Sequence, residues 1–293
     1  MQRIQLLLAI VLLFISQVSR AQEAAPVDDP KPVSNSESGA GKPQDNSQDA
    51  SRNEGAKRER PGRSGGRGFR GGGRGGRSAT PDDTTGFVLI FDGKSLDNWD
   101  GDPKFWSVQD GMIVGQSTDE NRVPYNTFLI WRGEKLKDFE LKLEVRLTGG
   151  NSGIQYRSRE NDQRGKWSVG GYQADFDANN RFSGMLYGEQ GGGFLAPRGN
   201  FMRRTAEGHR LIASLGNADD LATVYKPEDF NTFHIVAKGN TLLHFVNGRL
   251  LAGLIDEDEN GGAYATEGIL ALQMHTGPPM KLEARNIWIK KLQ

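Results

Sequence analysis

Three short segments each place an amide and an ionisable group two residues apart: Gln155 with Arg157, Gln173 with Asp175, and Gln273 with His275. In an extended strand, residues i and i+2 share a face. The alternate positions are apolar, namely Ile154 and Tyr156, then Tyr172, Ala174 and Phe176, then Leu270, Leu272 and Met274. Those belong in a core, which turns the polar set outward together with Ala271. If the strands are neighbours in a curved sheet, the six polar residues line one concave trough. An imidazole titrates closest to neutral pH, and a guanidinium offers a permanent charge with forked donors. Amides and carboxylates bind hydroxyls. Tyr187 and Glu189 enter a glycine-rich stretch, Gly188 to Phe194, that could border the same trough, and Trp167 ends a polar run, Asn161 to Trp167.

Such a trough needs strands to carry it. Phe139–Leu147 (FELKLEVRL) alternates five apolar with four charged residues, which is strand rather than helix spacing. Its charged set, Glu140, Lys142, Glu144 and Arg146, reads as a solvated outer face. Similar patterns predict strands at 87–91, 106–108, 112–115, 127–131, 153–158, 172–176, 184–187, 232–238, 241–246, 249–254, 268–274 and 282–290. Asp110-Gly111 and Asn247-Gly248 read as hairpin turns. One short helix is expected within Asp219–Tyr225, and His234 and His244 read as surface strand residues. Many short strands without crossover helices predict an all-β fold, an antiparallel two-sheet jelly-roll sandwich. Sheets of six or seven strands each would suit its length.

The rest of the chain differs. Met1-Gln2-Arg3 precedes an apolar run, Ile4 to Ile15, too short for a membrane span of ~20 residues. Its order is that of a signal peptide, with cleavage expected after Ala21 and a periplasmic or secreted mature chain. Residues 22–84 are polar, with Phe69 the sole aromatic, and read as a disordered linker. Within it, 57–77 is an Arg-Gly tract with nine glycines. Export makes a flexible basic tether, able to meet an anionic envelope polymer, a better reading than nucleic-acid binding. The 37 basic and 37 acidic residues balance, so no global field favours nucleic acid or membrane. The absence of cysteine excludes disulfides, thiolate metal sites and a cysteine nucleophile.

Eight motifs now occur in order, among them Phe91-Asp-Gly-Lys-Ser-Leu-Asp-Asn-Trp99, Asn151-Ser-Gly-Ile-Gln-Tyr-Arg157, Gly171-Tyr-Gln-Ala-Asp-Phe-Asp177, Ser183-Gly-Met-Leu-Tyr187 and Gly268 to Met280. Together they resemble the 3-keto-disaccharide hydrolase domain family, over roughly residues 86–293. The resemblance implies a concanavalin A-like jelly roll and cleavage of glycosides already oxidised to a ketone at C3. A C3 ketone acidifies the C2 proton, so the glycosidic oxygen on C1 can leave by elimination and water can add back. That route needs a base, a donor at the C3 oxygen and an acid at the leaving oxygen. On this resemblance Asp175 or His275 is the base, Arg157 the oxyanion partner and Glu189 an acid or sugar ligand. Gln155, Gln173, Tyr187, Gln273 and Trp167 would bind the substrate. A non-catalytic carbohydrate-binding module is the alternative. No cofactor is assigned; Ca²⁺ held by Asn151, Asp175 and Asp177 is an option, since hard cations favour oxygen ligands.

Overall fold

The computed structural model describes residues 84–293. The expected signal peptide, the linker before residue 84 and its Arg-Gly tract lie outside the described residues. Seventeen strands, one short α-helix and one 3-10 turn at Asp162–Arg164 follow. The first seven are β1 (Val88–Leu89), β2 (Trp99–Asp100), β3 (Trp106–Gln109), β4 (Met112–Gln116), β5 (Thr127–Trp131), β6 (Phe139–Thr148) and β7 (Asn151–Glu160). Then come β8 (Val169–Asp177), β9 (Leu186–Glu189), β10 (Gly193–Ala196), β11 (Asn200–Thr205), β12 (Gly208–Ser214) and helix α1 (Ala218–Ala222). The last five are β13 (Asn231–Lys238), β14 (Thr241–Val246), β15 (Arg249–Asp256), β16 (Ile269–Met274) and β17 (Lys281–Lys291).

They form a sandwich of two sheets, larger and less equal than expected. One has ten strands, in the order β12-β11-β15-β14-β13-β6-β17-β4-β3 with β1 also on β17. The other has seven, in the order β10-β9-β8-β7-β16-β5-β2. Pairing is antiparallel except between β11 and β15. The two expected hairpins close on Asp110-Gly111 and Asn247-Gly248, all four residues at positive φ, as primed turns require. Strands β10 to β12 were not expected: glycines interrupt the first, and β12 is exposed along its whole length, so neither carries an alternating apolar signal. Among the described residues no helix is long and apolar enough to cross a membrane.

The core lies between the sheets. The apolar half of β6 (Phe139, Leu141, Leu143, Val145 and Leu147) meets Tyr156, Tyr172, Ala174 and Phe176 from the smaller sheet. The opposite, charged half of β6 is not a freely solvated face. Glu144 is buried against Arg285 (2.7 Å) and Asn286 (3.1 Å), Arg146 pairs with Glu283 through two bonds, and Glu140 meets His234 at 2.8 Å. The Phe230 ring lies over Arg285 and Arg146. Antiparallel pairing sets opposite charges on adjacent strands side by side, a fact that one strand's sequence cannot carry.

His244 corrects another expectation. It is fully buried, with Nε2 2.8 Å from the Tyr156 hydroxyl and Nδ1 3.2 Å from the Met185 carbonyl. A carbonyl only accepts, so Nδ1 carries the proton. Burial holds its pKa down, at about 4. Its position in β14 is in fact the inward one, since it alternates with the buried Leu242 and Val246 and lies opposite the core residue Ile235.

Candidate active site

The outer face of the seven-stranded sheet carries the trough. In-register pairing lays one row across six strands: Ile130, Ala271, Gln155, Gln173, Tyr187 and Phe194. Beside it, Gln273 is paired with Phe128, and Asp175 with Gly153. Gln155, Gln173, Asp175 and Gln273 are all buried, at 5% exposure or less. They are therefore not an ordinary solvated strand face.

Two glycines make room for the polar side chains. A Cβ on Gly153 would sit 2.3 Å from the Gln173 amide carbon, and one on Gly171 would sit 2.5 Å from the Ser158 hydroxyl. Over these bare positions runs a hydrogen-bonded chain. Ser158 Oγ donates to Gln155 Oε1 (2.6 Å), Gln155 Nε2 to Gln173 Oε1 (2.6 Å), and Gln173 Nε2 to Asp175 Oδ1.

Asp175 ends that chain in a place hostile to charge. Burial lifts its pKa from the ordinary 3.8 to about 7; the Gln173 amide opposes the rise, and the nearby Glu189 and Asp177 charges add to it. Glu189 is also raised by burial, against donors from Asn126 (3.3 Å) and Gln273 (3.4 Å) and the pull of His275 and Arg164. Tyr187 keeps its proton to higher pH than a free phenol, through burial and the neighbouring Glu189 and Asp175. The Glu189 charge thus reaches Asp175, which is poised to exchange a proton near neutrality. The Gln273 Oε1 atom is buried without a partner, an acceptor free for a ligand hydroxyl.

His275 follows β16 at its end. Its Nδ1 donates to the Thr276 carbonyl, which leaves Nε2 free of a proton in the neutral ring. Asn126 ties this corner together: its Oδ1 accepts from the Thr276 backbone N–H at 3.0 Å while its Nδ2 donates to Glu189. Neither Asn126 nor Ser158 was among the residues singled out by spacing. Asn126 lies in a loop before β5, and Ser158 lies past a break in strand alternation.

That break removes Arg157 from the trough. Arg157 has φ 45°, and the β7–β8 register shifts between Tyr156 and Arg159. A bulge of this kind re-aims side chains. The Arg157 guanidinium is buried and spent on the Lys137 carbonyl (2.7 Å), the Gly239 carbonyl (2.7 Å) and the Asp138 carboxylate (2.9 Å). These partners flank β6 and β13 of the other sheet, so Arg157 ties the two sheets together and is not placed to meet an oxyanion beside Asp175.

Trp167 closes one end of the trough. It packs against Phe128, Ile130, Val169 and Ala271, its Nε1 donates to Asp100 (2.6 Å), and the Lys166 ammonium stands 3.9 Å over its ring. The other end is a rim of rings: Phe194 stacks on Phe182 at 5.3 Å and meets Tyr187 edge-on at 5.2 Å. The Asp177 carboxylate accepts the backbone N–H groups of Arg181 and Phe182 and braces that loop. Among the described residues no three His, Cys, Asp or Glu side chains gather as metal ligands.

Over residues 86–290 the sequence matches the 3-keto-alpha-glucoside-1,2-lyase-like domain. The chain belongs to that family. An 88-residue stretch, 27% of this chain, is 38% identical to a 3-keto-disaccharide hydrolase of Bacteroides thetaiotaomicron. The match spans only 30% of that relative's length. A solved structure of a glycosyl hydrolase from Parabacteroides distasonis is similar at 19% identity, covering 72% of this chain and 95% of the other, with a TM-score of 0.46. The carbohydrate-binding module CBM66 of Bacillus subtilis is similar at 13% identity, over 66% and 96% of the two chains, with a TM-score of 0.43. The 3-keto-alpha-glucoside-1,2-lyase-like domain covers nearly all the described residues.

Proposed function

We propose that the trough cleaves the glycosidic bond of a 3-keto glycoside by elimination across C1 and C2, followed by addition of water. The observation that carries this reading is Asp175, a buried carboxyl with a pKa of about 7 facing a second raised carboxyl, Glu189, on one concave surface. Ionised Asp175 takes the C2 proton. The electron pair of that C–H bond forms the C1=C2 double bond, conjugated with the C3 ketone, as the C1–O bond breaks. Glu189, held toward its protonated form, supplies the proton to the departing oxygen. Tyr187 retains its proton and suits donation to the C3 oxygen, as does His275 in its charged form. Water then adds to C1 and a proton returns to C2, which restores both carboxyls.

Gln273 and Asn126 would bind hydroxyls, and the Phe194–Phe182–Tyr187 rim an apolar sugar face. Asp175 is the better base because it is buried at the end of the amide chain, whereas His275 sits at the open edge. A two-carboxylate glycosidase needs one carboxylate firmly ionised; here burial pushes both upward, which favours the elimination route. From the charged start and apolar run before Ala21 we also propose that the first 21 residues are removed and the mature chain lies outside the cytoplasm. The test is incubation with a 3-keto disaccharide in D₂O. Release of sugar with deuterium entering at C2 supports the proposal. Release without C2 exchange refutes elimination, and binding without release refutes catalysis.

A further inference from the structure

We infer that Ser158, three hydrogen bonds from Asp175, is a positioning residue that sets the polarity of the amide chain and so the readiness of Asp175 to take a proton. The inference rests on Asp175 being the base. Its own basis is the directed run of donors Ser158, Gln155 and Gln173, all buried, ending on the carboxylate.

A primary amide has one accepting and one donating end. Buried between two partners, it cannot choose its direction alone; each amide must match the next. With Ser158 donating to Gln155 Oε1, the Gln155 amino group must face Gln173 Oε1, and the Gln173 amino group must face Asp175. That polarity puts an N–H on the carboxylate and favours its ionised form. The reverse polarity needs a protonated Asp175 donating to Gln173 Oε1, with each amide turned over and the Gln155 amino group directed at Ser158 Oγ. Ser158 resists that reversal. Its hydroxyl could turn to the Tyr156 carbonyl, but at 3.0 Å against 2.6 Å to Gln155 Oε1, so the reversed chain gives up the shorter bond. Ser158 as a donor therefore favours the polarity that leaves Asp175 ionised.

The bulge that expels Arg157 makes this possible. In an unbroken strand Ser158 would share the core face of Ile154 and Tyr156; after the register shift it reaches Gln155 instead. The charged and titratable groups facing Asp175 are Glu189 and Tyr187 from β9 and Asp177 from β8. His275 and Arg164 act on Glu189. The partner strand β7 offers only neutral groups there, so the amide chain is its one lever on Asp175.

The test is the pH profile of kcat for Ser158→Ala, Gln155→Met and the double variant on a 3-keto disaccharide, with Asp175 also titrated by carboxyl ¹³C NMR. Loss of a hydrogen bond polarised onto a carboxylate should raise the limb belonging to Asp175 by about one pH unit. Activity should then fall about fivefold at pH 7 and about tenfold at pH 6, return by pH 9, and leave KM within about twofold. Because both residues act through one chain, the double variant should lose no more than Gln155→Met alone. An unmoved limb, or losses that add, overturns the inference. If the wild-type protein cleaves nothing, the proposed function fails, but the NMR titration still decides this point: an Asp175 shift in Ser158→Ala supports the chain, and an unchanged titration refutes it.

Discussion

Asp175→Asn should separate the cost of the site from its use. Burial moves the carboxyl from 3.8 to about 7, and each pH unit of displacement corresponds to ~1.4 kcal/mol. The difference, 7 − 3.8, or about three units, amounts to ~4 kcal/mol of stability set against the ionised form. The sign follows from the raised folded value. Stability is fully present below pH 3.8, falls as the unfolded chain ionises, and is lost once the pH passes about 7. Asparagine has the same shape, keeps an oxygen for the Gln173 amide and never ionises. The variant should therefore match the wild type near pH 4 and exceed it by ~2–4 kcal/mol at pH 8. For a domain of this size that is a melting temperature higher by roughly 5–15 °C. The assay is thermal unfolding of both proteins from pH 4 to 9, with His244 contributing equally to each curve. Asp175→Asn should also abolish release from a 3-keto glycoside. A melting difference that stays constant from pH 4 to 8 would show that Asp175 is solvated like a surface carboxylate, and the argument for a poised base would fall.

Other expectations follow from the same geometry. Arg157→Met should destabilise by about 3–5 kcal/mol, because Asp138 and two carbonyls lose a buried cation, while kcat of the folded fraction stays near wild type; a large loss of kcat with unchanged melting would return Arg157 to the chemistry. Glu189→Gln should lower kcat at least a hundredfold on a substrate with a poor leaving group and far less on one whose leaving oxygen needs no proton; equal losses on both would remove Glu189 as the acid. His244, held near 4 against 6.5 unfolded, should cost ~3 kcal/mol of stability as pH falls from 6.5 through 4, read as a slope in urea unfolding that His244→Gln lacks. Phe194→Ala should raise KM severalfold with kcat unchanged, and an unaltered KM would mean that the ring rim does not touch the sugar.

Local pattern in the chain was enough to predict most of the architecture. The alternation of Phe139–Leu147 announced a half-buried strand, Asp110-Gly111 and Asn247-Gly248 announced their turns, and alternation alone put Gln155, Gln173, Asp175 and Gln273 on one face. Those inferences hold because a regular strand has a period of two that survives any tertiary setting. They stop where the ladder is irregular. One extra residue at Arg157 sends a guanidinium through to the other sheet and brings Ser158 to Gln155. Strand β12 is exposed throughout and β10 is short and opens on a glycine, so pairing reveals them where pattern does not. The buried state of Asp175, its closeness to Glu189 and the corner held by Asn126 join segments far apart in sequence. Which strand lies beside which, and hence how much water each carboxyl keeps, is decided by sheet pairing over the whole domain. Electrostatics depend on that spatial neighbourhood, which no single segment of the chain encodes.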